Sequence, residues 1–120
     1  MDDNRIFVFF TYIIGSSNAP RDPPLVNPIL LPQPAEFLPA FVIKLAPDGR
    51  RIAFSTLLGN PFSNQGAGIA VDSIGDIYVI GTTGYGGGVN KTADFPTVRA
   101  FQPERINKSF QTFISKITTR

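Results

Sequence analysis

Prolines and glycines, eleven of each in 120 residues, are spread so widely that almost no window long enough for three helical turns is free of a breaker. Only two glutamates are present to favour a helix. The chain therefore reads as strands separated by turns. Phe41-Val-Ile-Lys-Leu45 and Arg51-Ile-Ala-Phe-Ser-Thr-Leu-Leu58 flank Pro47-Asp48-Gly49, which supplies a preset φ and then a residue tolerant of positive φ. This predicts a β-hairpin. A second is predicted from Gly68-Ile-Ala-Val71, the turn Asp72-Ser-Ile-Gly75 and the strand Asp76-Ile-Tyr-Val-Ile80, closed by Gly81. Its strands are apolar at odd and even positions alike, the pattern of a sheet covered on both sides.

Two stretches interrupt the strands. Residues 20–39 hold seven of the eleven prolines and are expected to run extended as a linker, while residues 81–96 are rich in glycine and read as a flexible loop. The hydrophobic fraction of 42% permits a core, so the chain is expected to fold as one domain. With no His, Cys or Trp, it cannot build a disulfide, a thiolate nucleophile, a Cys/His zinc site, an imidazole base or a Ser-His-Asp triad from its own residues. A formal charge of +2 is a weak field, which argues against nucleic acid as a partner. The nine-residue apolar run Ile6-Phe-Val-Phe-Phe-Thr-Tyr-Ile-Ile14 is too short for the roughly 20 residues of a membrane span. It also resembles a signal-peptide core followed by small residues, but Asp2 and Asp3 stand where positive charge is wanted, and a strand is the reading preferred.

The chain resembles itself. Asp3-Asn-Arg-Ile-Phe-Val-Phe-Phe-Thr-Tyr-Ile13 lies over residues 48–58 without a gap at an offset of 45, and Phe41-Val-Ile-Lys-Leu45 lies over Phe113-Ile-Ser-Lys-Ile117 at an offset of 72. One repeat of about 72 residues, its first copy lacking a hairpin where the proline-rich stretch now lies, accounts for both offsets.

Phe41-Val-Ile-Lys-Leu-Ala-Pro-Asp-Gly49, Phe54-Ser-Thr-Leu-Leu-Gly59, Gly68-Ile-Ala-Val-Asp-Ser-Ile-Gly-Asp-Ile-Tyr-Val-Ile-Gly81, Asp94-Phe-Pro-Thr97 and Ala100-Phe-Gln-Pro103 resemble, in this order, the bacterial β-propeller repeat family called SBBP. The resemblance covers about one full repeat, residues 40–118, plus a strand before it. It implies an all-β chain of antiparallel hairpins of propeller-blade type, an incomplete propeller of about one and a half blades. In such blades residues 68–71 stand as the innermost strand, 76–80 as the second, 41–45 and 113–117 as the third, and 52–58 and 6–13 as the outer one. The chain then divides into an outer-type strand within 1–19, the proline-rich linker 20–39, a hairpin in 40–59, and in 60–120 the inner hairpin, the glycine-rich loop and a third-type strand. Propellers have four to eight blades of about 40–45 residues, so 120 residues cannot close a ring alone. Flanking blades, or self-association with a clasp between the N-terminal strand and the C-terminal third-type strand, would complete it. The resemblance also implies an extracellular or cell-surface setting.

Each candidate site carries a plainer explanation. Gly81-Thr-Thr-Gly-Tyr-Gly-Gly-Gly-Val-Asn-Lys91-Thr92 lacks the glycine before the lysine and the following helix that a phosphate loop needs. Asp72 and Asp76 invite a calcium or acid–base reading, yet the turn lacks the alternating oxygens and distal Glu of a calcium loop, so Asp72 is read as capping the turn and Asp76 as opening the next strand, with the same structural reading for Asp48 and Asp94. Lys44 and Lys116 share a repeat position and read as strand-edge charges. Tyr85 and Phe62 are the aromatics expected in loops, where they could meet a ligand. Asn90-Lys-Thr92 and Asn107-Lys-Ser109 match the glycosylation sequon. No catalytic, cofactor-binding or metal residue is assigned. The expected function is a non-catalytic structural or protein/carbohydrate-binding module without a cofactor; the alternatives are part of a propeller hydrolase using Asp and Glu at the propeller mouth, and a truncated fragment without function.

Overall fold

The structure, a computed structural model, describes residues 9–16, 24–30, 38–59, 64–84 and 111–118. Every regular element among them is a strand: β1 (Thr11–Ser16), β2 (Ala40–Leu45), β3 (Ile52–Leu58), β4 (Asn64–Val71), β5 (Ile77–Thr83) and β6 (Gln111–Ile117). They form two antiparallel sheets, in the orders β1-β2-β3 and β4-β5-β6. The protein is all-β, and each sheet shows three of the four strands of a propeller blade.

Both predicted hairpins are present. In the first, Asp48 Oδ1 accepts the Arg50 N–H at 2.9 Å, the short-range turn bond expected of an Asp at that place. The second turn is tied by the Gly75 N–H donating to the Asp72 carbonyl at 3.1 Å. β5 extends to Thr83, so Gly81 lies in a strand and not in the loop expected from 81 onward. Within the proline-rich stretch, described at 24–30 and 38–39, the segment 24–30 is joined to β3 by one bridge, Val26 to Ser55. It runs along the edge of β3, which would otherwise present unpaired main-chain groups.

The N-terminal strand occupies a different place from the one expected. Its described part pairs with β2, so that it stands beside the third-type strand on the side opposite the outer-type β3. The registers identify it. Tyr12 faces Lys44 and Gly15 faces Phe41, as Tyr78 faces Lys116 and Gly81 faces Phe113. β1 is thus the counterpart of β5, the second strand of a blade, at an offset of 66 residues. The gapless match at 45 is displaced by one in which pairing partners also correspond. The first sheet therefore holds second, third and outer strands, and the second sheet inner, second and third. The proposed clasp does not appear among the described residues, where β6 pairs with β5 and β1 with β2.

The sheets meet face to face. Ala40, Val42, Phe54 and Leu58 of the first share one buried cluster with Ile77, Val79, Phe113 and Ile117 of the second, and Tyr12, Ile14 and Ile69 pack against it. Gly66 of β4 lies so close to Ile14 that a Cβ there would strike the Ile14 side chain, and its N–H donates to Ser16 Oγ at 3.1 Å.

Candidate functional site: the Asp72 turn and the open face of the second sheet

The chemistry-bearing side chains collect at one end of the second sheet. Asp72 closes the β4–β5 turn by accepting the Asp76 N–H at 2.9 Å and the Ile74 N–H at 3.1 Å on one carboxylate oxygen, and the Tyr78 hydroxyl at 3.1 Å on the other. Desolvation pushes the Asp72 carboxyl up, but those donors and the Lys116 charge outweigh it and hold the group below its ordinary value. Asp76, almost fully buried, lies 3.5 Å from the exposed Lys116 ammonium. Lys116 also sits 5.5 Å from the centre of the Tyr78 ring, and Tyr78 first, then Asp76, raise its ammonium above the ordinary lysine value against a smaller desolvation.

The turn-capping role expected of Asp72 is what these bonds describe. Asp76 does more than open the next strand, because it is the buried partner of Lys116. Lys44 is not a strand-edge charge: β2 is the central strand of its sheet, and the ammonium lies 4.2 Å from the Phe10 ring centre and 5.8 Å from that of Tyr12. At the β1–β5 offset, Phe10 takes the place of Asp76. One repeat position thus holds its lysine by an ion pair in the second sheet and by an aromatic face in the first.

Residues that the sequence did not single out hold neighbouring segments to the sheets. Ser55 and Thr56, both fully buried, clip the proline-rich segment to β3: Ser55 Oγ accepts the Val26 N–H at 2.8 Å and donates to the Pro24 carbonyl, and Thr56 Oγ1 accepts from the N–H groups of Ile29 and Leu30. Asn64, 3% exposed, donates through main chain and side chain to the Leu38 carbonyl and accepts the Thr83 hydroxyl at 2.8 Å. The available signal was a Ser-Thr pair inside an otherwise apolar strand.

Beyond the ion pair the second sheet departs from expectation. Ile77 and Val79 are buried in the cluster, but the alternate positions Tyr78 and Ile80 of β5 and Ile114 of β6 are 37%, 43% and 62% exposed. Strands whose sequence is apolar on both faces are covered on one only. Residues 53–84, from β3 through the Asp72 turn to the end of β5, match the family model for the SBBP beta-propeller repeat. This stretch is similar to an SBBP repeat. No curated protein and no solved structure matches the chain. The SBBP match includes the Ser55–Thr56 clip, Asn64, Asp72, Asp76 and Tyr78, whereas Lys116 and Ile114 lie beyond it.

The remaining candidates, Phe62, Tyr85, Asp94, most of the glycine-rich loop and both sequons, fall outside the described residues. Among the described residues no three of His, Cys, Asp and Glu come together as a metal-binding group, and no helix is long and apolar enough to cross a membrane.

Proposed function

We propose that this chain is a non-catalytic structural module, a pair of SBBP-type blades whose working surface is a sheet face that packs against another protein surface. The observation that carries the reading is the state of the two carboxylates at the described site. A general acid needs a raised pKa and a free proton position. The Asp72 carboxyl is held low, and both its oxygens are taken up by the turn and by Tyr78. Asp76 is almost fully buried, with the exposed Lys116 ammonium 3.5 Å away. These carboxylates shape a hairpin that presents an apolar face, the arrangement of a packing or binding surface.

Substituting Asp72→Asn and Asp76→Asn separately, then following thermal unfolding and hydrolysis of glycoside and ester substrates, tests this. The structural module predicts lower unfolding midpoints in both variants and no activity in the parent to lose. A parent chain that turns over substrate, and loses that turnover in either variant without loss of fold, would remove the reading.

A further inference from the structure

The two sheets are built alike but are not used alike. The face of the first sheet that carries Tyr12, Ile14, Val42 and Lys44 is covered by the second sheet, whose Phe113 shares a cluster with Val42. By the register correspondence, the same positions on the second sheet are Tyr78, Ile80, Ile114 and Lys116. This face is open, with Ile114 62% exposed. The covering surface is also duplicated: Val79, Gly81 and Phe113, which face the first sheet, correspond to Ile13, Gly15 and Phe41 on the far side of that sheet. There Ile13, Gly15 and Phe41 are half-buried, together with Ile43. The molecule therefore displays both halves of its own internal interface, one on each outer side.

Resting on the module reading above, we propose that a second copy of this chain docks head to tail, laying the β1–β2 face with Phe41 over the open face with Ile80 and Ile114. The occupant is indicated by the interface within one chain, where a Gly–Phe face already sits on a Tyr–Lys face. Such contact is heterologous, since each copy uses two different surfaces, and it repeats into a ring where the rotation closes and into an open filament where it does not. Lys116 at the margin, held charged by Tyr78 and Asp76, keeps the open face soluble before docking.

The experiment is the native mass of the purified chain by light scattering after size exclusion, with far-UV circular dichroism. The wild type is expected at a discrete multiple of 13.1 kDa with a β spectrum. Ile114→Glu is expected to fall to a single 13.1 kDa copy with that spectrum unchanged, because Ile114 is exposed in the isolated chain. Ile74→Glu, on the turn at 58% exposure and off the sheet face, should leave the multiple intact. A wild-type monomer with a β spectrum overturns self-docking alone and leaves the module reading standing. A polydisperse mass that Ile114→Glu reduces to monomer overturns the closed ring, a mass unmoved by Ile114→Glu overturns self-docking, and a wild-type chain without a β spectrum overturns self-docking and the module reading together.

Discussion

Thr56 serves two main-chain donors with one oxygen, from Ile29 at 2.9 Å and Leu30 at 3.1 Å, while its own hydroxyl donates to the Leu57 carbonyl. Replacing it with valine keeps the shape and removes the acceptor. The cost expected from two stranded N–H groups is about 1–3 kcal/mol, read as a lower urea midpoint at unchanged slope. A Thr56→Val chain as stable as the parent would show that the clip contributes nothing. Protonation offers a second reading at this scale. The Asp72 carboxyl titrates lower in the folded chain than its ordinary 3.8, so its contribution is complete above that value and is lost as pH falls through the depressed folded value. Lys116 behaves oppositely: its contribution is complete below 10.5 and is lost as pH rises through the raised folded value. Unfolding midpoints followed across pH should show an acid limb that Asp72→Asn flattens and an alkaline limb that Lys116→Met flattens. Limbs that survive these substitutions would assign the pH dependence to other groups.

Among the elements, the two hairpins were legible because their turns are specified locally: Pro47-Asp48-Gly49 and Asp72-Ser-Ile-Gly75 dictate a reversal whatever surrounds them. The place of β1 was not. The run Ile6–Ile14 is apolar at every position except Thr11, so it carries no period, and its residue types match 48–58 as readily as they match the true counterpart. The informative signal was the Tyr-x-x-Gly spacing shared by Tyr12–Gly15 and Tyr78–Gly81, which acquires meaning only once the lysine and phenylalanine opposite are known. Each of these glycines lies under a phenylalanine ring, with the Phe41 ring at Gly15 and the Phe113 ring at Gly81, where a Cβ would collide. At Gly81 the Cβ would also meet the Gln65 carbonyl of β4, main chain that cannot rotate away. Gly81→Ala is therefore expected to cost about 1–3 kcal/mol, and Gly15→Ala less, because there only a side chain must move. Equal costs, measured by urea unfolding, would mean that the ring and not the β4 carbonyl sets the penalty. The half-open second sheet was beyond sequence reading for a different reason. Burial of Ile80 and Ile114 depends on a surface that no local pattern in this chain encodes.

For the molecule as a whole, the decisive feature is that one cluster serves both sheets. Ile77, fully buried on β5, belongs to the same cluster as Val42 on β2, and Gly66 of β4 closes over Ile14 of β1. Neither sheet buries its apolar face without the other, and three exposed strands alone would leave that face to water. The protein is therefore expected to unfold in a single transition, with ellipticity and tyrosine fluorescence coinciding. Tyr12 and Tyr78 report from different sheets. Ile77→Ala, made entirely within the second sheet, should lower global stability by about 2–5 kcal/mol. It should speed amide exchange of β2 as much as that of β5, because the slowest amides of both open only by global unfolding. Exchange that quickens in β5 while β2 keeps its protection would show two independent folding units. The second sheet would then be an appendage whose open face stands exposed by default, and the case for that face as a docking surface would have to rest on the oligomer alone.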